Sequence, residues 1–158
     1  MSFVDEIQGS IAVDVAAETG DFVLKRRDGL FAYQLAVVVD DAEQGVTHVV
    51  RGGDLLTSTP RQLLLQQSLD LAAPAYAHVP LATDRSGVKL SKSAGAGAVD
   101  ATKPAAELWR ALSFLRQEPP SELREGPLKL LWEWAVHHWT TMPLIGQKQA
   151  PVEIAAAG

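Results

Sequence analysis

The sequence contains no cysteine, which excludes disulfides and any zinc site built on thiolates. It has no apolar run approaching the roughly 18 residues that a membrane span needs. The opening Met-Ser-Phe-Val-Asp-Glu has neither the basic start nor the apolar stretch of a signal peptide. A cytoplasmic location, away from membranes, is the expectation. An excess of positive charge is missing too: the formal net charge is −5, which argues against non-specific nucleic-acid binding by the whole surface. A local basic patch remains compatible with that charge, because fields decay over about 8–10 Å at physiological salt. Lys25-Arg26-Arg27 is the only tight basic cluster and reads as a solvated strand end or turn, not a nucleic-acid site. No internal repeat is visible.

What remains is an ordinary globular composition, 47% hydrophobic and 21% charged, on a chain of 158 residues, long enough to bury a core. Residues 1–20 read as short extended pieces joined by polar turns. Phe22-Val23-Leu24 leads into the basic cluster and then Asp28-Gly29, a strong turn signal, so a strand, a turn and a second short element are expected. Leu35 to Val39 is apolar throughout and fits either a buried strand or a buried helix. If it is a helix, Gly45 is placed to end it.

Val46 to Val50 is rich in β-branched residues and reads as a strand ending at Arg51-Gly52-Gly53. Thr59-Pro60 then opens a helix, with Thr59 expected as N-cap and Pro60 at the first helical position. Tyr76 to Leu81 is a further strand bounded by prolines. The strand–helix–strand order predicts an α/β unit with a parallel sheet. Residues 86–97 have the Gly, Ser, Ala and Lys content of a loop. Two helices are expected at 104–117 and 127–139, separated by Pro119-Pro120. Their apolar faces would hold Trp109, Leu112 and Leu115 in the first, and Leu128, Leu131, Trp132, Ala135 and Trp139 in the second.

The loop contains Lys89-Leu90-Ser91-Lys92-Ser93. A lysine ammonium on such a loop suits the concentrated negative charge of a phosphoryl transition state. Upstream stand Tyr33-Gln34-Leu35-Ala36-Val37-Val38-Val39-Asp40-Asp41, then Gly45-Val46-Thr47-His48-Val49-Val50-Arg51-Gly52-Gly53-Asp54. Ser58-Thr59-Pro60-Arg61-Gln62 and Tyr76-Ala77-His78-Val79-Pro80-Leu81 follow. In this order the blocks resemble the class I glutamyl- and glutaminyl-tRNA synthetases, the lysine loop matching their KMSKS signature. The resemblance covers roughly residues 3–140. The short chain after the loop resembles the glutamyl-queuosine tRNA(Asp) synthetases, which lack an anticodon-binding domain.

That resemblance implies an α/β fold: the C-terminal half of a Rossmann-type nucleotide-binding fold followed by a small helical region. Residues 1–100 would hold the connective region and the second half of the catalytic domain, 101–146 the helical region, and 147–158 an unordered tail. It implies activation of glutamate by ATP, with Mg2+ accompanying the nucleotide, and transfer to the queuosine base of tRNA(Asp). Tyr33 and Arg51 would bind glutamate, Arg51 with a planar fork suited to a carboxylate. Lys92 would be the catalytic contact to ATP, with Lys89 and Asp54 also near the nucleotide. Asp40 and Asp41 would have a structural role such as helix-end capping.

Two features depart from the family. No His-x-Gly-His stands anywhere in the sequence, and the cysteine-containing zinc site of the short enzymes is absent. The expectation is therefore a fragment that begins midway through the enzyme, near Phe3 to Gly9, and is inactive alone. Its half-sheet would expose strand edges and favour self-association. The alternative is a non-catalytic tRNA- or protein-binding module. His137-His138 points in two directions about 100° apart on a helix and lacks partners at ligand spacing. His48 and His78 read as packing histidines, and no metal is expected.

Overall fold

The computed structural model describes residues 1–90 and 98–152. The chain divides into two compact units, Met1–His78 and Val79–Gly158.

In the first unit, β1 (Ser2–Asp5) and β2 (Gly9–Ala12) form an antiparallel hairpin in the register Phe3↔Ile11 and Asp5↔Gly9. The Asp5 carboxylate closes the turn by accepting from Ile7 N at 3.0 Å and Gln8 N at 2.8 Å. Gly9 then leaves the turn at φ 79°, a left-handed conformation that glycine adopts without a Cβ penalty. One turn of helix, α1 (Val15–Glu18), is capped by Asp14, whose side chain accepts from Ala16 N and Ala17 N. The Phe22–Phe31 stretch contributes only an isolated bridge, Lys25↔Phe31, in place of the expected strand. Arg26 pairs with Asp28 at the exposed turn.

Leu35 to Val39 lies within helix α2 (Tyr33–Glu43). Gly45, at φ 68°, ends it as anticipated: Gly45 N donates to Ala42 O and Val46 N to Asp41 O, the two bonds of a Schellman motif. Strand β3 (His48–Gly52) passes into a 3-10 turn, Gly53–Ser58, that runs directly into α3 (Thr59–Ser68). Thr59 is thus the first residue of the helix, preceded by Ser58, and does not cap it. The 3-10 turn already continues the helical path, which frees the Thr59 hydroxyl for another partner.

Strand β4 (Ala75–Val79) ends at Pro80, so the single strand expected at 76–81 is split, and β5 (Leu81–Thr83) belongs to a different sheet. Proline has no N–H to continue a ladder. The first sheet runs β2-β1-β4-β3, with β1 and β4 parallel through Asp5↔Tyr76. Strand β4 is therefore internal, and Tyr76, Ala77 and His78 are all buried, as expected for a strand covered on both faces. Helices α2 and α3 pack against each other. The architecture is α/β, with the sheet mixed and not purely parallel.

In the second unit, β5 pairs in parallel with β6 (Gln149–Pro151). Asp84 organises the turn after β5, accepting from Ser86 N and Val88 N, and Thr83 bridges to Lys89. Helices α4 (Pro104–Phe114) and α5 (Leu128–His138) bury Ala105, Leu112, Leu131 and Ala135 between them. Leu108, Trp109, Leu128 and Trp134 pack around this core. The face of α5 differs from expectation: Trp134 is on it, whereas Trp132 and Trp139 are largely exposed. Gln117 joins the inter-helix segment to Thr140 by a reciprocal pair, Nε2–H to Thr140 O and Thr140 N–H to Oε1, both 3.0 Å.

All four tryptophans lie between residues 109 and 139, so their fluorescence reports on this unit. Leu131 is 0% exposed, and Leu131→Ala is expected to lower stability by about 2–5 kcal/mol in denaturant titrations followed by that signal. Val136→Ala, at a position 74% exposed, should change it by about 0.5 kcal/mol or less.

Candidate functional site

Arg51 is the penultimate residue of β3, and its guanidinium turns into the first unit, where it is held on several sides. Nε–H donates to His78 Nε2 at 2.9 Å. Nη2 donates to Gln62 Oε1 at 2.8 Å and Thr59 Oγ1 at 3.0 Å, with Leu55 O at 3.4 Å. Cζ lies over the Tyr76 ring, 5.3 Å from its centroid. Nη1 makes no hydrogen bond among the described residues. The Nε–Nη2 side of the fork is therefore committed to the protein, and Nη1 is the end that no described residue holds.

The amide acceptors are oriented by a further chain. Gln62 Nε2 donates to Gln34 Oε1 at 3.0 Å, and Gln34 Nε2 donates to Ser58 Oγ at 3.1 Å. Gln34 follows Tyr33 at the start of α2, so the network ties that helix start to Arg51. On its other side Gln66 Nε2 donates to the Tyr76 hydroxyl at 3.1 Å, which fixes the ring beneath the guanidinium.

Behind Arg51 lies a fully buried pair. His78 Nδ1 and Asp5 Oδ2 are 2.6 Å apart, and both side chains are 0% exposed. Asp5 Oδ1 also accepts from His78 N at 3.1 Å. An ionised carboxylate only accepts and a guanidinium only donates. His78 between them is therefore the neutral tautomer with its proton on Nδ1 and its lone pair on Nε2. Burial lowers the His78 pKa below its ordinary 6.5, more than the Asp5 hydrogen bond raises it. For Asp5 burial pushes upward, but the His78 ring and the backbone N–H groups of Gln8, His78 and Ile7 outweigh it and hold the carboxyl below 3.8.

Of the residues singled out in the sequence, Tyr33 is the first of α2, 52% exposed as a residue and with its hydroxyl without a hydrogen bond among the described residues. Asp54 is exposed in the turn after β3. Gly52 leaves it room, since a Cβ there would stand 2.6 Å from Asp54 Oδ1. Lys89 is exposed in the second unit, opposite Thr83. Lys92 lies outside the described residues. Asp40 and Asp41 do not cap α2 with their carboxylates: the end is closed on their backbone carbonyls, by Gln44 N and Val46 N. His138 Nδ1 approaches Trp134 O at 2.8 Å and stacks on that ring. Among the described residues no group of three or more His, Asp or Glu is arranged to hold a metal.

Sequence reasoning passed over Asp5, Gln34 and Gln62, and gave Thr59 and His78 purely structural roles. The one available signal was polar residues inside segments that otherwise bury, above all His78 in Tyr-Ala-His-Val.

The buried pair sets a pH dependence. A histidine whose folded pKa is depressed takes up its proton in the unfolded chain first, so stability is full above about pH 6.5 and falls as pH drops toward the lowered folded value. The Asp5 contribution is present above its unfolded value of 3.8 and is lost only as pH falls through its own lowered pKa. Urea midpoints of the first unit, followed by hydrogen exchange of β4, should therefore decrease from about pH 7.5 to about pH 5.5. His78→Gln should flatten that part of the profile.

Residues 1–109 match the family described as tRNA synthetases class I (E and Q), catalytic domain. A protein of Aromatoleum aromaticum named Glutamyl-Q tRNA(Asp) synthetase is 51% identical over 150 residues, covering 95% of this chain and 48% of the relative. A protein of the same name from Dechloromonas aromatica is 53% identical over 139 residues, 88% of this chain and 46% of the relative. The chain spans about half the length of the curated relatives it matches. The crystal structure of glutamate-tRNA synthetase from Elizabethkingia anophelis superposes with a TM-score of 0.70 at 23% identity, covering 99% of this chain and 34% of that one. That likeness establishes a shared fold. With the family match covering more than half of its residues, the chain belongs to the class I tRNA synthetases of the E and Q type.

Proposed function

We propose that the protein carrying this chain activates glutamate with ATP, Mg2+ accompanying the nucleotide, and transfers it to the queuosine base of tRNA(Asp). The observation that carries the reading is the Arg51 guanidinium, immobilised on its Nε–Nη2 side and open at Nη1. A cation already fixed in place binds a carboxylate without first losing its own rotamer freedom. A guanidinium held on a carboxylate also withdraws electron density from it, so Arg51 suits the glutamate carboxylate that does not react. The half-exposed Tyr33 hydroxyl offers a second polar contact to the amino acid. Lys92, Lys89 and Asp54 are assigned to the nucleotide on the motifs they occupy. The queuosine branch of the family rests on the names of the relatives that are about 50% identical. We also propose that the chain self-associates through its sheet, where Val4 on β1 and Val50 on the edge strand β3 are 71% and 66% exposed.

Glutamate-dependent ATP–pyrophosphate exchange by the protein carrying this chain tests the first step. Arg51→Ala is expected to raise the glutamate KM about tenfold or more, with the ATP KM little changed. Charging with labelled glutamate tests the second step: tRNA(Asp) containing queuosine should be a substrate and the same tRNA without it should not. Equal charging of the queuosine-free tRNA would exclude the queuosine base as the acceptor, and absence of any glutamate-dependent exchange would favour a binding module. Light scattering of the purified chain at tens of micromolar should give a mass above the monomer's.

A further inference from the structure

Four contacts define the plane of the Arg51 guanidinium: His78 at Nε, Thr59 and Gln62 at Nη2, and the face of Tyr76. Thr59 and Gln62 are 8 and 11 residues from Arg51, and Tyr76 shares a motif block with His78. The contact to Nε depends instead on Asp5, which is 73 residues from His78 in sequence. Without Asp5 only the Arg51 Nε–H still favours a proton on Nδ1, and the Nδ1 side no longer has a buried acceptor to hold it there. With the proton on Nε2, an N–H would face the Arg51 Nε–H across 2.9 Å. Two donors cannot share that space, and the guanidinium would have to swing away.

We infer that Asp5 and His78 are positioning residues for the contact between Arg51 and its carboxylate ligand, acting through the tautomer that Asp5 imposes on the His78 ring. This rests on the reading of Arg51 as the glutamate-holding group. Neither residue touches the ligand. Asp5 orders the ring through Nδ1, the ring orders the guanidinium through Nε2, and Nη1 remains as the end offered outward. His78 alone could not do this, because an isolated neutral imidazole has both tautomers available.

Asp5→Asn separates this role from general support of the fold. The asparagine oxygen still accepts from Ile7 N, Gln8 N and His78 N, while its NH2 can only donate to His78 Nδ1. The ring proton must then move to Nε2. Nitrogen-15 spectra of the imidazole should show a protonated Nδ1 in the unaltered chain and a protonated Nε2 in Asp5→Asn. Glutamate affinity, measured by calorimetry, should fall about tenfold or more in Asp5→Asn and in His78→Leu. His78→Gln should stay within about threefold, because an amide offers a donor and an acceptor in the same 1,3 relation as the ring.

A reversed tautomer with unchanged glutamate affinity overturns the inference, as does His78→Gln binding no better than His78→Leu. If Asp5→Asn fails to fold, as judged by circular dichroism, the His78→Gln and His78→Leu pair decides the matter. Arg51→Ala separates the two levels. If it leaves glutamate affinity unchanged, the reading of Arg51 falls and the positioning role falls with it. If it abolishes binding while a reversed tautomer has no effect, only the positioning role falls.

Discussion

A carboxylate taken out of water must be hydrogen-bonded on both oxygens or it takes up a proton. Asp5 meets that condition with four donors: the N–H groups of Ile7, Gln8 and His78 on Oδ1 and the His78 ring on Oδ2. Each donor constrains a different part of the first unit. Ile7 and Gln8 shape the turn from β1 to β2. The His78 backbone fixes β4 beside β1, at the same end as the Asp5↔Tyr76 pairing and the bond from Glu6 N to Tyr76 O. The ring carries the constraint to β3 through Arg51 and to α3 through Thr59 and Gln62. One buried charge thus reaches all four strands of the sheet, helix α3, and through the Gln62–Gln34 bond helix α2.

Such an arrangement is not a source of large net stability. Desolvating a charged group costs several kcal/mol, and its partners roughly offset that cost. Its consequence is that the alternatives are worse: removing any one donor leaves a buried charge or an orphaned polar atom. The sheet register, the His78 tautomer and the Arg51 pose are therefore selected together. The second unit is organised differently, around apolar contact between α4 and α5, with Gln117 and Thr140 closing the polar ends of the segment that joins them.

Much of the fold was legible because its signals are local. Gly45 ends α2 through a backbone conformation that glycine favours, and the β-branched run at 46–50 forms β3. The misreadings arose where a neighbour decided the outcome. Thr59 looks like an N-cap in sequence, but the preceding 3-10 turn removes the need for one and Arg51 takes its hydroxyl. Helical spacing put Trp132 and Trp139 on the buried face of α5, whereas the face meeting α4 is centred on Leu131 and Ala135 and takes Trp134. The binding role read for Arg51 rests on its strand-end position within a motif. The residues that orient its guanidinium carry no such local signal, because no local pattern links residue 5 to residue 78. The structural role of Asp40 and Asp41 was implied by the family resemblance, and the helix end is closed on their backbone carbonyls, which no side-chain pattern signals.

On the proposed reading of Arg51 as the carboxylate-holding group, the His78 ring reconciles a rigid guanidinium with an anionic ligand. A direct Asp5–Arg51 salt bridge would orient the guanidinium equally well, but it would neutralise the positive charge that attracts a second carboxylate. Inserting a neutral imidazole about doubles the separation of the two charges, and the Coulomb term falls to about half before any difference in screening. The ring transmits direction through two hydrogen bonds while transmitting little compensating charge. Gln62 and Thr59 work in the same way on Nη2, since both are neutral acceptors. The protein thus surrounds Arg51 with groups that fix its orientation, places the nearest fully buried anion one ring away, and leaves Nη1 without a hydrogen bond among the described residues.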